Sequence, residues 1–189
     1  PAGWRIENPD GLITWASVSL AGSSHAMYMD FYDYDNYGTY DRLITPVLDL
    51  TSASVASISF DWAYAAYAGS NDRLRVLVST TCDFNSSPTV IFDKAGTALA
   101  TASPSGSSFS PSSSQWSSVI LSLSQFIGQK IQIAFEGIND YGNNLYLDNV
   151  SVLNYPITAF ALGQLLRPSP VSCQNSVQPI INVKNLGNN

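Results

Sequence analysis

The stretch MDFYDYDNYGTYD, residues 29–41, crowds Asp30, Asp33, Asp35 and Asp41 among Tyr32, Tyr34, Tyr37 and Tyr40, with Tyr28 and Phe31 beside them. Aromatic rings stack on the apolar faces of sugars, and carboxylates accept hydrogen bonds from sugar hydroxyls. The residue types of this strip therefore suit a glycan-binding surface, with Tyr32, Tyr34, Tyr37 and Tyr40 as its contacts. Strand alternation gives a second reading, an aromatic strand packed inward with its acids in solvent.

A second candidate is Asp148 in LYLDNVSVL. Simple alternation puts it on one strand face with Tyr146, Val150 and Val152, and Leu145, Leu147 and Leu153 on the other. A carboxylate among apolar neighbours is costly unless it is paired, hydrogen-bonded or bound to a cation. Two readings follow: a carboxylate taking backbone N–H bonds at a bulge, or a calcium ligand. Calcium gathers about six to eight hard oxygens, many of them backbone carbonyls. The turn Asn8-Pro9-Asp10-Gly11 offers two side-chain oxygen donors in a carbonyl-rich loop, and the first loop of a β-sandwich can lie beside its last strand. Asn8, Asp10 and Asp148 are the candidate ligands, with Glu7 in reserve. The same tetrapeptide is also an ordinary turn sequence.

Other reactive types point less clearly. Asp61 and Asp72 raise the two-carboxylate question of glycosidase chemistry, but nothing around them separates an acid role from a base role. His25, the only histidine, has no nucleophile-elbow serine to serve. Cys82 and Cys173 are the only cysteines and can pair with each other or with partners elsewhere. Asn85-Ser86-Ser87 has the pattern of a glycosylation acceptor.

The elements that must carry these residues are strands. Period-two alternation recurs in SISFDWAYA, RLRVLVS, QKIQIAFEGI and LYLDNVSVL, and LITPVLDL and WSSVILSL add further strand-like runs. Gly, Asn, Asp, Ser and Pro clusters separate them. An antiparallel sandwich is the way such strands bury their apolar faces. Composition agrees. Twelve of the 14 acids are Asp, Ser occurs 28 times and Lys three times, a turn-forming, helix-poor mixture. A net charge of -6 argues against a nucleic-acid partner. No apolar run approaches the roughly 20 residues of a membrane span, and the N-terminus lacks a signal-peptide layout.

SPSGSSFSPSSS, residues 103–114, reads as a long surface loop between strands of one domain. The domain boundary is expected after Asn154, giving a sandwich over 1–154 and a linker plus one strand, IINVKN, over 155–189.

Six segments together resemble the cleaved-adhesin, MAM-like jelly-roll domains of gingipain haemagglutinin regions: GWRIENPDGLITW, AGSSHAMYMD, YDRLITPVLDL, the block from ISFDWAYA through LRVLVSTTCDF, KAGTALATASPSGSSFSPSSSQW and FIGQKIQIAFEGINDYGNNLYLDNVSV. They run in the family's order over residues 1–154, and the tail resembles the opening of a following Ig-like domain. The family's usual strand with a Phe-Glu pair lies upstream of Gly-Trp and has no counterpart before Gly3-Trp4. The resemblance implies an all-β, non-catalytic sandwich, often calcium-bound, secreted or at the cell surface within a larger bacterial protein. Its partners would be other domains of that precursor and a host or environmental protein or polysaccharide. The alternative is a carbohydrate-binding module attached to a secreted hydrolase or peptidase.

Overall fold

A computed structural model describes residues 3–20, 25–156, 160–167 and 180–185. In chain order the strands are β1 (Arg5–Glu7), β2 (Ala16–Ser19), β3 (His25–Met29), β4 (Tyr40–Ile44), β5 (Leu48–Asp49), β6 (Ala53–Tyr64), β7 (Arg73–Ser79), β8 (Thr89–Ala95), β9 (Ser117–Ser122), β10 (Lys130–Ile138), β11 (Leu145–Pro156), β12 (Phe160–Arg167) and β13 (Ile180–Asn185). One sheet runs β1-β4-β10-β7-β8, with β5 also on β10; the other runs β2-β3-β11-β6-β9. All these strand pairs are antiparallel. The expected two-layer sandwich is what forms. Strands β12 and β13 make a two-stranded sheet, where the sequence pattern suggested one strand.

The core follows from the alternation. Ile58, Phe60, Trp62 and Tyr64 of β6 face Leu74, Val76 and Val78 of β7 and Ile131, Ile133 and Phe135 of β10 across the layer gap. Phe60 meets Phe135 at 5.2 Å and Phe92 at 5.3 Å, both edge to face, the arrangement that aromatic quadrupoles favour. The loop at 103–114 crosses the outer side of the five-stranded sheet, where Phe109 and Trp116 pack on Tyr146.

Strand β11 departs from the simple face assignment. Leu145 and Leu147 enter the core, and so do Val150 and Val152, because the register with β6 shifts between Asp148 and Ser151. Asn149 absorbs the extra residue at φ 51°, the mark of a bulge. Tyr146 therefore faces out, Leu153 is exposed, and Asp148 stands beside the bulge rather than in an apolar row.

Candidate functional site

Loops joining the two sheets hold most of the candidate side chains. The first is built on Asp72, just before β7 and 0% exposed. Its Oδ1 accepts the backbone N–H of Asp140 at 2.7 Å and Gly142 at 3.2 Å; its Oδ2 accepts Asn143 N–H at 2.8 Å and Tyr64 Oη–H at 2.9 Å. Burial pushes the Asp72 carboxyl above its ordinary range, and these donors oppose that rise. A side chain at Gly142 would collide with the carboxylate, so the turn needs glycine there. Asn139 completes the clamp: Nδ2 donates to the carbonyls of Tyr34 and Asn36, and Oδ1 accepts Tyr141 N–H.

On this clamped loop Tyr141 sits at φ 53°, a conformation uncommon for an aromatic residue. Its ring, 41% exposed, lies 5.6 Å from that of Tyr37, 61% exposed, with the planes at 53°. Gly38 N–H donates to Asn139 O at 2.8 Å, tying the two loops together behind the rings. Tyr32 makes a second pair with Tyr67 at 6.2 Å, edge to face.

The four tyrosines expected to form one strip are thus dispersed. Residues 31–39 form a loop with two turns rather than a strand. Tyr34 turns into the core at 2% exposure and its hydroxyl donates to Asp10 Oδ2 at 2.5 Å. Burial and that bond push its hydroxyl pKa to about 12. Tyr40 lies over the Arg42 guanidinium, 4.3 Å from ring centroid to Cζ, on the outer face of the six-stranded sheet. Only Tyr32 and Tyr37 are left in exposed or half-exposed pairs.

The expected cation ligands do not come together either. Asn8 and Asp10 close their own turn, Asn8 Oδ1 accepting Gly11 N–H at 2.8 Å and Asp10 Oδ1 accepting Leu12 N–H at 3.0 Å. Glu7 pairs with Arg42 Nη1 at 2.8 Å. Asp148 Oδ1 accepts the Asn149 N–H at 2.7 Å, the backbone bond at a bulge that was one of its two readings. Among the described residues no group of three or more His, Cys, Asp or Glu side chains is placed to hold a metal.

Asp148 instead lines a cleft of about 650 Å³ between the sheets, with Trp4, Ile6, Met27, Leu43 and Val150 as its apolar walls. His25 and Arg5 stand at its polar side. Asp61 lies opposite Asp148 on β6 and accepts from Ser118 Oγ and from Asn149 Nδ2. Asp61 on β6 and Asp72 just before β7 therefore belong to different bonding networks, and neither lines this cleft. Cys82 is exposed, and Cys173 lies outside the described residues. Asn85 of the glycosylation pattern accepts from Arg42 Nη1 at 2.9 Å.

Sequence reasoning missed two features. Tyr141 was hidden in what read as turn sequence. Asp41 was legible as an acid of the strip, but not as a wholly buried one: it is 0% exposed, and neither carboxylate oxygen has a hydrogen-bond partner. Burial pushes its carboxyl pKa up to about 6.

The K1 domain of Lys-gingipain from Porphyromonas gingivalis W83 superposes with a TM-score of 0.58 at 19% identity, covering 81% of this chain and 91% of that one. The fold is that of the cleaved adhesin domains. The K3 cleaved adhesin domain gives 0.57 at 19% identity, over 81% of this chain and 92% of that one. A carbohydrate-binding module, TmCBM61, solved with β-1,4-galactotriose, shares the same sandwich at a TM-score of 0.52 and 11% identity, over 82% of this chain and 90% of its own. No protein-family model matches the chain, and no curated protein matches it. In this chain the loops that join the two antiparallel sheets carry the exposed tyrosine Tyr37 and its neighbour Tyr141.

Proposed function

We propose that the chain is a non-catalytic binding module that grips a glycan through Tyr37 and Tyr141, within a larger secreted or cell-surface bacterial protein. The observation that carries this reading is the clamped aromatic pair. Two large rings stand in solvent, where burial is their favoured state, and one of them is held in a backbone conformation that costs about 1–3 kcal/mol. Such strain persists only where surrounding bonds over-determine it, and here the Asp72 and Asn139 networks do so. A rigid platform loses little freedom when a ligand stacks on it, which is how preorganisation raises affinity. Two tilted rings suit the apolar faces of one or two pyranose units, and Asp140 beside them offers acceptor oxygens to the hydroxyls.

The shared sandwich supports the reading in a general way, since a module of this fold, TmCBM61, was solved with a galactotriose bound. The dispersal of Asp61 and Asp72 supports the non-catalytic half, because acid and base must converge on one bond. Other domains of the same precursor are the further partners expected of a module of this kind.

The test is affinity electrophoresis and pull-down on a panel of insoluble and soluble polysaccharides, β-1,4-galactan included. Wild-type chain should be retarded by at least one of them, and Tyr37→Ala and Tyr141→Ala should each weaken retention about tenfold, the loss of roughly 1.4 kcal/mol of stacking. Tyr40→Ala, away from the pair, should leave it unchanged. Equal retention of all four proteins would overturn the assignment.

A further inference from the structure

The clamped loop also holds a second tyrosine pair. Tyr32, between β3 and β4, meets Tyr67, between β6 and β7, edge to face at 6.2 Å, and both residues are half-buried. The Tyr32 N–H donates to Asn144 Oδ1 at 3.4 Å. Ser70 closes the turn that follows Tyr67, its N–H donating to Tyr67 O at 3.2 Å, and its Oγ donates to Tyr141 O at 3.0 Å. Beside it, Asn71 N–H donates to Asp140 Oδ2 at 2.7 Å. Residues 139–144 are thus bonded at one end to the loop of Tyr37, through Gly38 and Asn139, and at the other to Tyr32, through Asn144. Tyr32 and Tyr37 are five positions apart. Their Cα atoms therefore lie at most about 18 Å from each other even with the chain extended, and the turns at both positions bring them closer.

The ground around the two pairs is acidic. Asp33 and Asp35 are exposed, and Asp30 and Asp140 are half-buried. Burial and the charge of Asp33 raise the Asp30 carboxyl above its ordinary range. Every described basic side chain is engaged elsewhere. Arg5 and Arg42 pair with Glu7, Arg42 and Arg75 with Glu136, Arg73 with Asp93, and Lys130 with Asp49. Lys94 lies over the rings of Trp62 and Phe92. A sugar carboxylate or sulfate laid on these tyrosines would therefore meet like charge with no described cation to neutralise it, and such juxtapositions reject a partner.

We propose that the two pairs form one platform for an uncharged glycan chain several units long, with Tyr37–Tyr141 and Tyr32–Tyr67 as separate stacking subsites. This inference rests on the glycan reading of Tyr37 and Tyr141 and names the class of chain that they take. Both pairs come from loops bonded to one fixed segment. A chain settled on the first pair meets the second without further ordering of the protein, so the second contact is gained as in linked sites. A short sugar covers one pair and forgoes that gain. The carboxylates of Asp33, Asp35 and Asp140 accept from the hydroxyls of a neutral chain and repel an acidic one.

The experiment uses the full chain and the neutral polysaccharides of the panel, β-1,4-galactan among them. Each is run beside the same polymer lightly carboxymethylated, and the di- to hexasaccharide ladder of each retained polymer is titrated. Wild-type affinity should climb along the ladder. Tyr32→Ala and Tyr67→Ala should each weaken binding of polymer and hexasaccharide about fivefold, with much less effect on the disaccharide. Tyr32→Phe and Tyr67→Phe should bind as wild type, which separates loss of a stacking ring from loss of the fold. Carboxymethylated polymer should be held about tenfold more weakly at low salt, and high salt should narrow that gap. If Tyr32→Ala and Tyr67→Ala hold polymer and hexasaccharide like wild type while Tyr37→Ala does not, or if affinity is flat beyond the disaccharide, the glycan reading stands and the second subsite is overturned. Equal or better retention by carboxymethylated polymer overturns the preference for an uncharged chain. If wild type is retained by no polymer, the glycan reading itself falls and this inference falls with it.

Discussion

Asp72 and Asp41 are both completely buried, both at the loop-bearing end of a strand, and both near a tyrosine, yet their surroundings differ in one respect. Asp72 receives four hydrogen bonds, three from one turn of backbone and one from Tyr64. Asp41 receives none on its carboxylate. The same side chain thus serves two purposes. At Asp72 the carboxylate is the nucleus around which residues 139–144 fold, and the loop it fixes presents Tyr141. At Asp41 no donor meets the carboxylate, and burial raises its pKa to about 6 instead. A third buried acid, Glu136, shows the remaining solution: Arg42 and Arg75 flank it on the outer face of the six-stranded sheet and neutralise it.

The strongest way to break this comparison is to remove the filled carboxylate. Asp72→Ala strands three backbone N–H groups and a tyrosine hydroxyl in a buried place, each costing about 1–3 kcal/mol before relaxation. We expect a net loss of about 4 kcal/mol in urea unfolding, a large share of a domain's usual 5–15 kcal/mol. A loss below about 1 kcal/mol would mean that the loop is held by something other than Asp72. Because the tyrosine platform rests on this turn, the same variant should also lose polysaccharide retention.

Removing the empty carboxylate should do the opposite. In chelator at pH 7, Asp41→Asn replaces a buried, unpaired charge by a neutral amide, and we expect a gain of about 1–2 kcal/mol. The sign follows from the raised pKa. The folded state holds its proton up to about 6 while the unfolded carboxyl releases it near 3.8, so the charged form costs stability above that window. Below it, at pH 3, both states are protonated and the gain should vanish. Urea midpoints at the two pH values check this, and a destabilised Asp41→Asn at pH 7 in chelator would show that the carboxylate has a partner after all.

Much of this was readable before folding was known, and the failures share a cause. Alternation located β6, β7, β9, β10 and β11 because each buries one face against the other sheet. It gave the wrong face after Asp148, since one extra residue at Asn149 inverts a period of two and nothing local in Asp-Asn-Val marks the bulge. The tyrosine strip read as one surface because its spacing nearly fits a strand. Turns at 32–33 and at Tyr37-Gly38 break it, and the four rings diverge. Tyr141 gained its role only through Asp72, a residue 69 positions earlier by numbering. The loneliness of Asp41 depends on Gly137 opposite it across the β4–β10 ladder, which supplies no side chain to pair.

The smallest effect sharpens the contrast from the exposed side. Arg73 and Asp93 pair diagonally across β7 and β8, with Arg73 Nε and Nη2 on the two carboxylate oxygens at 2.6 and 2.5 Å, and both side chains more than a third exposed. The geometry is bidentate, and the Arg73 guanidinium holds the Asp93 carboxyl below its ordinary range. Solvent screens such a pair, so Asp93→Asn should cost only about 0.5 kcal/mol at pH 7. A lowered carboxyl pKa stabilises the folded state above the unfolded value and loses that stability as pH falls through the folded one, so the difference between variant and wild type should close as pH drops below the ordinary carboxylate range. It should also shrink in 1 M salt, where screening acts within about 3 Å, while the cost of Asp72→Ala should persist there. Urea unfolding of both variants in low and high salt makes the comparison. Equal salt sensitivity of the two would mean that Asp72 is wetter than its four buried donors require.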